Sequence, residues 1–282
     1  MHARGPFSLA AAARFQRSFP AFAAPPGGDP VVDLVFPADG AWSTIAVRVT
    51  ADLTGHVVAD PGGLGEEEIR RQVERVLSLD VDGTGFAAVG ERDPVVAGLQ
   101  RRFPGLRPVL FPSPYEAAAW ALIGHRISMA QGATLRRRLS EELGDSVEFG
   151  GRTVAAFPPP QRLAELAPMP GMTIRKVENL RALGAAALAG DLDADLLRAM
   201  PVDAALAHLE KLPGVGPFSA ELTLIRGVGT VDLFPRETPW LYRAMADAYD
   251  LGPEPPMARL EAMARAWRPY RSWVTFLLRN AA

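Results

Sequence analysis

The chain has 282 residues, 48% of them apolar and 22% charged, and a formal net charge of −2; that is enough apolar content to bury a core in one or two domains, and it excludes an intrinsically disordered chain. It contains no cysteine, which excludes disulfide scaffolds, cysteine nucleophiles and thiolate zinc sites. No apolar run approaches the ~20 residues of a membrane helix, and the apolar stretch at 7–13 is interrupted by Arg14 and Arg17, unlike a signal peptide, so a cytoplasmic protein without a membrane partner is expected.

Residues 31–36 and 44–49 are apolar and β-branched, as strands are, and 56–59 reads as a strand returning from a turn at Asp52 to Gly55. Residues 66–79 place Ile69, Val73, Val76 and Leu77 at helical spacing, with Glu66, Glu67 and Glu68 in the first turn, where they suit the helix dipole. Asp93-Pro94 starts another helix. From about residue 113 the pattern is wholly helical. Ser113-Pro114 opens one helix with a serine cap and a proline at its first position, and Ser128 opens the next. After Phe157-Pro158-Pro159-Pro160, helices are expected at 161–167, 174–189, 202–210, 217–228, 239–249, 256–267 and 271–279. The predicted class is α+β: a small α/β domain at 1–110, then an all-helical domain at 111–282. Strand and helix do not alternate along the whole chain, which argues against a Rossmann fold or a barrel.

Charge follows the same division. Residues 1–100 carry 8 Arg against 13 Asp and Glu, and the remainder 22 Lys and Arg against 19 Asp and Glu, so only the second part suits a polyanionic partner. Lysine occurs only at Lys176 and Lys211. His56 and His208 are isolated and lack metal-ligand spacing.

The most informative segment is Leu212-Pro213-Gly214-Val215-Gly216-Pro217-Phe218-Ser219-Ala220-Glu221-Leu222. A helix stops at Leu212-Pro213, two glycines permit a tight turn, and Pro217 is suited to the first position of the next helix. Such a hairpin, with Leu212, Gly214, Val215 and Gly216 as the candidate DNA-binding residues, presents backbone N–H groups at a helix N-terminus, where a DNA phosphate binds without a basic side chain and without sequence readout.

This string, followed by Arg226-Gly227 and by Asp232-Leu233-Phe234-Pro235, resembles the helix-hairpin-helix DNA glycosylases, in particular the AlkA-type 3-methyladenine DNA glycosylases. Tyr115-Glu116, Leu122 to Ser128, Phe157 to Leu163, Gly171 to Lys176 and Trp267 to Trp273 also match that family, and residues 1–110 correspond by arrangement to its TATA-binding-protein-like domain. The resemblance implies a monomeric enzyme acting on double-stranded DNA with alkylated bases. It would flip the damaged nucleotide out of the stack and hydrolyse its N-glycosidic bond, with no redox or organic cofactor. It places Arg126, beside His125, in the gap left by the flipped base. It makes Phe218, Trp240, Trp267, Tyr270 and Trp273 candidates for an aromatic base pocket, where ring faces attract cationic alkylated purines. Lyases of the superfamily carry a lysine where Phe218 stands, so no Schiff base is expected. The resemblance also makes the hairpin carbonyls of Leu212 and Val215 a candidate site for Na⁺ or K⁺.

One departure bears on the chemistry. The family's catalytic aspartate position falls, counting back from Arg243, on Thr238, which carries no charge and is placed to cap a helix at Pro239. Either Glu237, one residue earlier, supplies the carboxylate, or Asp232 does, or the protein is a non-hydrolytic DNA-binding protein on the same fold.

Overall fold

The computed structural model describes residues 1–20 and 30–281. The chain opens with α1 (Leu9–Ser18), which the sequence pattern did not predict; Ser8 caps it by accepting the Ala11 N–H at 3.2 Å. Three antiparallel strands follow in the order β1 (Val32–Pro37), β2 (Thr44–Val49) and β3 (Gly55–Ala59), with Val32 opposite Val49 and Pro37 opposite Thr44. Both faces of β2 are largely buried, whereas β3 is an exposed edge. α2 (Glu66–Val76) lays Ile69, Val73 and Val76 into the same core, and α3 (Ala87–Arg92) and α4 (Pro94–Arg102) complete the first part.

α5 (Pro114–Gly124) and α6 (Met129–Leu143) begin at Ser113 and Ser128, both with side-chain caps, as their sequences indicate. The expectation of a wholly helical second part needs one correction. A β-hairpin, β4 (Ser146–Phe149) and β5 (Arg152–Ala155), follows α6. It turns on Gly150 and Gly151, at φ +58° and +76°, the left-handed pair that a two-residue hairpin requires. The remaining helices are α7 (Pro160–Ala164), α8 (Ile174–Leu188), α9 (Ala194–Ala199), α10 (Val202–Leu209), α11 (Pro217–Thr223), α12 (Pro239–Ala248), α13 (Met257–Ala264) and α14 (Arg271–Ala281). α11 continues through a wider π-helical turn, Leu224–Val228, and stops at Gly229 with φ +84°.

The packing order differs from the covalent order. One hydrophobic cluster runs from Tyr115 to Leu233. A second joins the sheet, α1 and α2 to residues 234–278, so the last helices return to the first part of the chain. Asp93 ties this junction: it caps α4 through Val95 and Val96, and accepts the Tyr249 hydroxyl at 2.6 Å and the Trp267 indole N–H at 3.0 Å. Gly227 lets the π turn lie directly on α5; a Cβ there would come within 2.6 Å of the Pro114 Cα.

Candidate nucleic-acid interface

The hairpin forms as its glycines suggest. Leu212 accepts the Val215 N–H at 3.0 Å, Gly214 takes φ +81°, and extended Gly216 precedes Pro217 at the start of α11. Gly214 packs closely on two other helices: a Cβ there would overlap the Asn179 amide of α8 and lie 3.1 Å from Leu122 of α5. Gly216 faces open space, with nothing within 4 Å of its missing Cβ. The turn is therefore fixed from behind and clear in front.

The second element is the loop between α5 and α6. His125 and Arg126 are both exposed, and Arg126 adopts φ +58°, a conformation costly for a residue with a Cβ. Two contacts hold the loop's flanks. The buried Glu116 carboxylate in the first turn of α5 meets Arg136 of α6 at 2.6 Å. At the other end of α5, the Lys176 ammonium donates to the carbonyls of Ile123 (2.7 Å) and His125 (3.3 Å). Burial pushes the Lys176 ammonium below its ordinary pKa and pushes the Glu116 carboxyl up to about 7, against the opposing pull of Arg136. Because Lys176 and Asn179 both lie on α8, one helix braces the hairpin and the loop together.

The third element leads into α12. Glu221 of α11 accepts the Arg236 N–H at 2.9 Å and the Glu237 N–H at 3.1 Å, one on each carboxylate oxygen. Burial raises its pKa, and the two backbone donors oppose that rise. Glu237 is exposed, whereas Thr238 is only 5% exposed. Thr238 precedes α12 as expected, but its carbonyl, not its hydroxyl, makes the capping bond, to the Leu241 N–H at 2.9 Å. Nearby, burial and the charges of Glu237, Glu221 and Glu261 raise the Tyr242 phenol. Asp232, the other candidate acid, is bound by Arg271 at 2.6 and 3.0 Å and lies 3.8 Å from Arg268, so it is neutralised in a structural pair.

The aromatic candidates separate into two groups. Phe218 is 44% exposed beside the hairpin, and Trp240 is half-buried with the Arg279 guanidinium 4.9 Å from its ring centroid. The other three do not line an open pocket. Trp267 is fully buried on Asp93, the Tyr270 hydroxyl donates to the Asp82 carbonyl at 2.7 Å, and Trp273 packs between Phe86 and Arg107. They weld the two ends of the chain together, which corrects their assignment to the base site. A reading of the sequence also missed Trp120. It forms with Phe111 an aromatic layer against which Leu222, one turn beyond Phe218, packs. Lys176 and Glu221 were missed as well. Lys176 had a signal, as one of two lysines in an arginine-rich chain; nothing in sequence marked what Glu221 holds.

A glycine hairpin between two helices, an adjacent loop carrying a positively charged side chain at its tip, and a half-exposed aromatic ring are the features of a helix-hairpin-helix fold. No protein-family model matches the chain. It is 29% identical over 216 residues to a DNA-3-methyladenine glycosylase of Bacillus subtilis, covering 75% of this chain and 71% of that one. It is 29% identical over 177 residues to DNA-3-methyladenine glycosylase 2 of Escherichia coli, covering 60% of this chain and 58% of that one. Among solved structures, a 3-methyladenine DNA glycosylase from Archaeoglobus fulgidus superposes with a TM-score of 0.80 at 21% identity, over 99% of this chain and 96% of that one. The chain is thus similar in sequence to AlkA-type DNA glycosylases and shares their helix-hairpin-helix fold. These relatives are DNA glycosylases by name, which supports the same class of activity, with DNA as the partner, for this chain.

Proposed function

We infer that the protein excises alkylated purines of the 3-methyladenine type from duplex DNA, acting as a monomer and without a lyase step. The activities for which its relatives are named support the substrate class. The observation that carries the reading is the shared brace: α8 packs Asn179 closely on the hairpin turn at Gly214 and bonds the α5–α6 loop through Lys176. The N–H groups around Gly214 to Gly216 would take a backbone phosphate. Arg126 would fill the gap in the stack, with His125 beside it, and the flipped base would meet Phe218 and, further in, Trp240. Phe218 has no amine for a Schiff base, which supports hydrolysis alone. A monovalent cation at the hairpin fits the lone pair that the Leu212 carbonyl retains beside its bond to Val215, with the Val215 carbonyl as a second ligand.

Glu237 is the proposed catalytic carboxylate, with Thr238 beside it. Its backbone is pinned by Glu221, its side chain is exposed, and among the described residues it forms no ion pair. It would stabilise the oxocarbenium-like sugar and take a proton from the attacking water. The water oxygen bonds to C1′ as the bond to the base nitrogen breaks, and that bond's electron pair leaves with the base. An alkylated, cationic purine departs as a neutral base, which lowers the demand on the carboxylate.

The test is release of free bases from methylated duplex DNA. Wild type is expected to release them, and Glu237→Gln to lose about 10²-fold or more in rate while still binding DNA. Equal release by both proteins would remove Glu237 from the mechanism. No release by a folded, DNA-binding wild type would support the non-hydrolytic reading, which the uncharged Thr238 favours.

A further inference from the structure

We propose that Lys176 is the positioning residue that locks the α5–α6 loop in the shape in which Arg126 can enter the duplex. This rests on the reading of Arg126 given above. The last carbonyls of a helix have no partner within the helix, and a loop leaving that end is free to fray unless something else binds them. Here the Ile123 carbonyl belongs to the last turn of α5, and the His125 carbonyl is part of the peptide that leads into Arg126. The Lys176 ammonium bonds both, at 2.7 and 3.3 Å. The loop's own backbone bonds, His125 N–H to Leu122 at 3.4 Å and Ile127 N–H to Gly124 at 3.3 Å, match the Lys176 bond to His125 in length, and both are longer than its bond to Ile123. The shortest of these bonds, and the one that carries a charge on its donor, thus comes from outside the loop.

That restraint has something to hold. The left-handed Arg126 costs about 1–2 kcal/mol relative to an ordinary conformation, so an unpinned loop would relax. The anchor is itself fixed, because Thr173 caps α8 by accepting the Lys176 N–H at 3.2 Å. The residue type also fits. Two carbonyls converging on one point suit a compact ammonium better than a planar guanidinium, whose donors form a fork. A lysine stands here in a chain that otherwise uses 28 arginines and one more lysine. Its two hydrogen bonds among the described residues both go to backbone carbonyls, as a loop clamp requires.

Hydrogen exchange on the free protein tests the lock without DNA. In Lys176→Met, the amides of residues 125–127 should exchange about tenfold faster than in wild type, as expected for loss of a charged hydrogen bond, and trypsin should cut after Arg126 sooner. Elsewhere α8 should be unchanged, and Lys176→Arg should restore the loop only in part. Excision supplies the functional arm. Filling a gap matters only in a stacked duplex, so Lys176→Met should raise KM on methylated duplex about tenfold and leave release from the same DNA as single strands unchanged. Unaltered exchange at 125–127, full restoration by arginine, or an equal loss on both DNA forms would overturn the proposal. If wild type releases no base from either form, the proposed function fails, and the exchange experiment still decides the lock.

Discussion

The two loops that flank the candidate site are held by opposite charges. The loop after α5 leaves a helix C-terminus, where carbonyls lack partners, and the Lys176 ammonium supplies the protons. The loop before α12 presents N–H groups at Arg236 and Glu237, and the Glu221 carboxylate receives them. In both cases a neighbouring helix contributes one partly desolvated charge, and burial shifts that charge toward its neutral form. The sign of the clamp follows from which backbone groups the loop leaves open. Arg126 and Glu237 stay exposed because the clamps bind backbone and leave these side chains unused.

The largest effect should come from disturbing what the first loop shares with the hairpin. Gly214→Ala forces a left-handed alanine against the Asn179 amide and Leu122, so unfolding experiments should show a loss of about 1–3 kcal/mol, together with weaker DNA binding. Gly216→Arg enters open space and should leave the melting temperature unchanged while blocking the phosphate's approach, a loss of about tenfold or more in DNA affinity. Were Gly214→Ala to leave stability and binding intact, the idea of α8 as a common brace would be wrong.

Cutting the second clamp should be milder. Glu221→Gln keeps one acceptor and turns an amide NH₂ toward the other backbone N–H, which costs about 1–3 kcal/mol. Base release should fall about tenfold with DNA affinity little changed, because the variant touches only the loop that carries Glu237. A loss of affinity equal to that of Gly216→Arg would mean that the two loops are not independent.

A third desolvated charge, Glu116, lies at the other end of α5 and sharpens the comparison through pH. Its folded pKa is raised from 4.5 to about 7, so between those values the folded chain holds a proton that the unfolded chain has released. Stability should therefore be greatest below this window and fall as pH rises through it, by on the order of 3 kcal/mol at most. Glu221, whose pKa is also raised, adds to the fall in the same direction. Urea midpoints measured from pH 4.5 to 7.5 should show the decline in wild type and a flatter profile in Glu116→Gln. A rise with pH in this range would assign the dominant titration to other groups.

The helix starts at Ser113, Ser128 and Pro217, the three strands, and the glycine hairpin were legible in sequence because each is decided by chemistry within a few residues: a side-chain cap, a fixed φ, a missing Cβ, alternating burial. The Gly150-Gly151 hairpin carried an equally local signal, overlooked inside a helical stretch. The rest depended on residues far apart in the chain. Trp267, Tyr270 and Trp273 share the aromatic character of a base pocket, and only the return of the last helices to the sheet shows that they are core. Lys176 meets a carbonyl 53 residues away, and Glu221 meets amides 15 and 16 residues away, at places where no periodicity or turn signal points. Composition and local stereochemistry determined that this chain makes a glycine hairpin at the start of a helix. Tertiary packing alone decided which side chains stay free for DNA, because that choice depends on which partners the fold has already supplied.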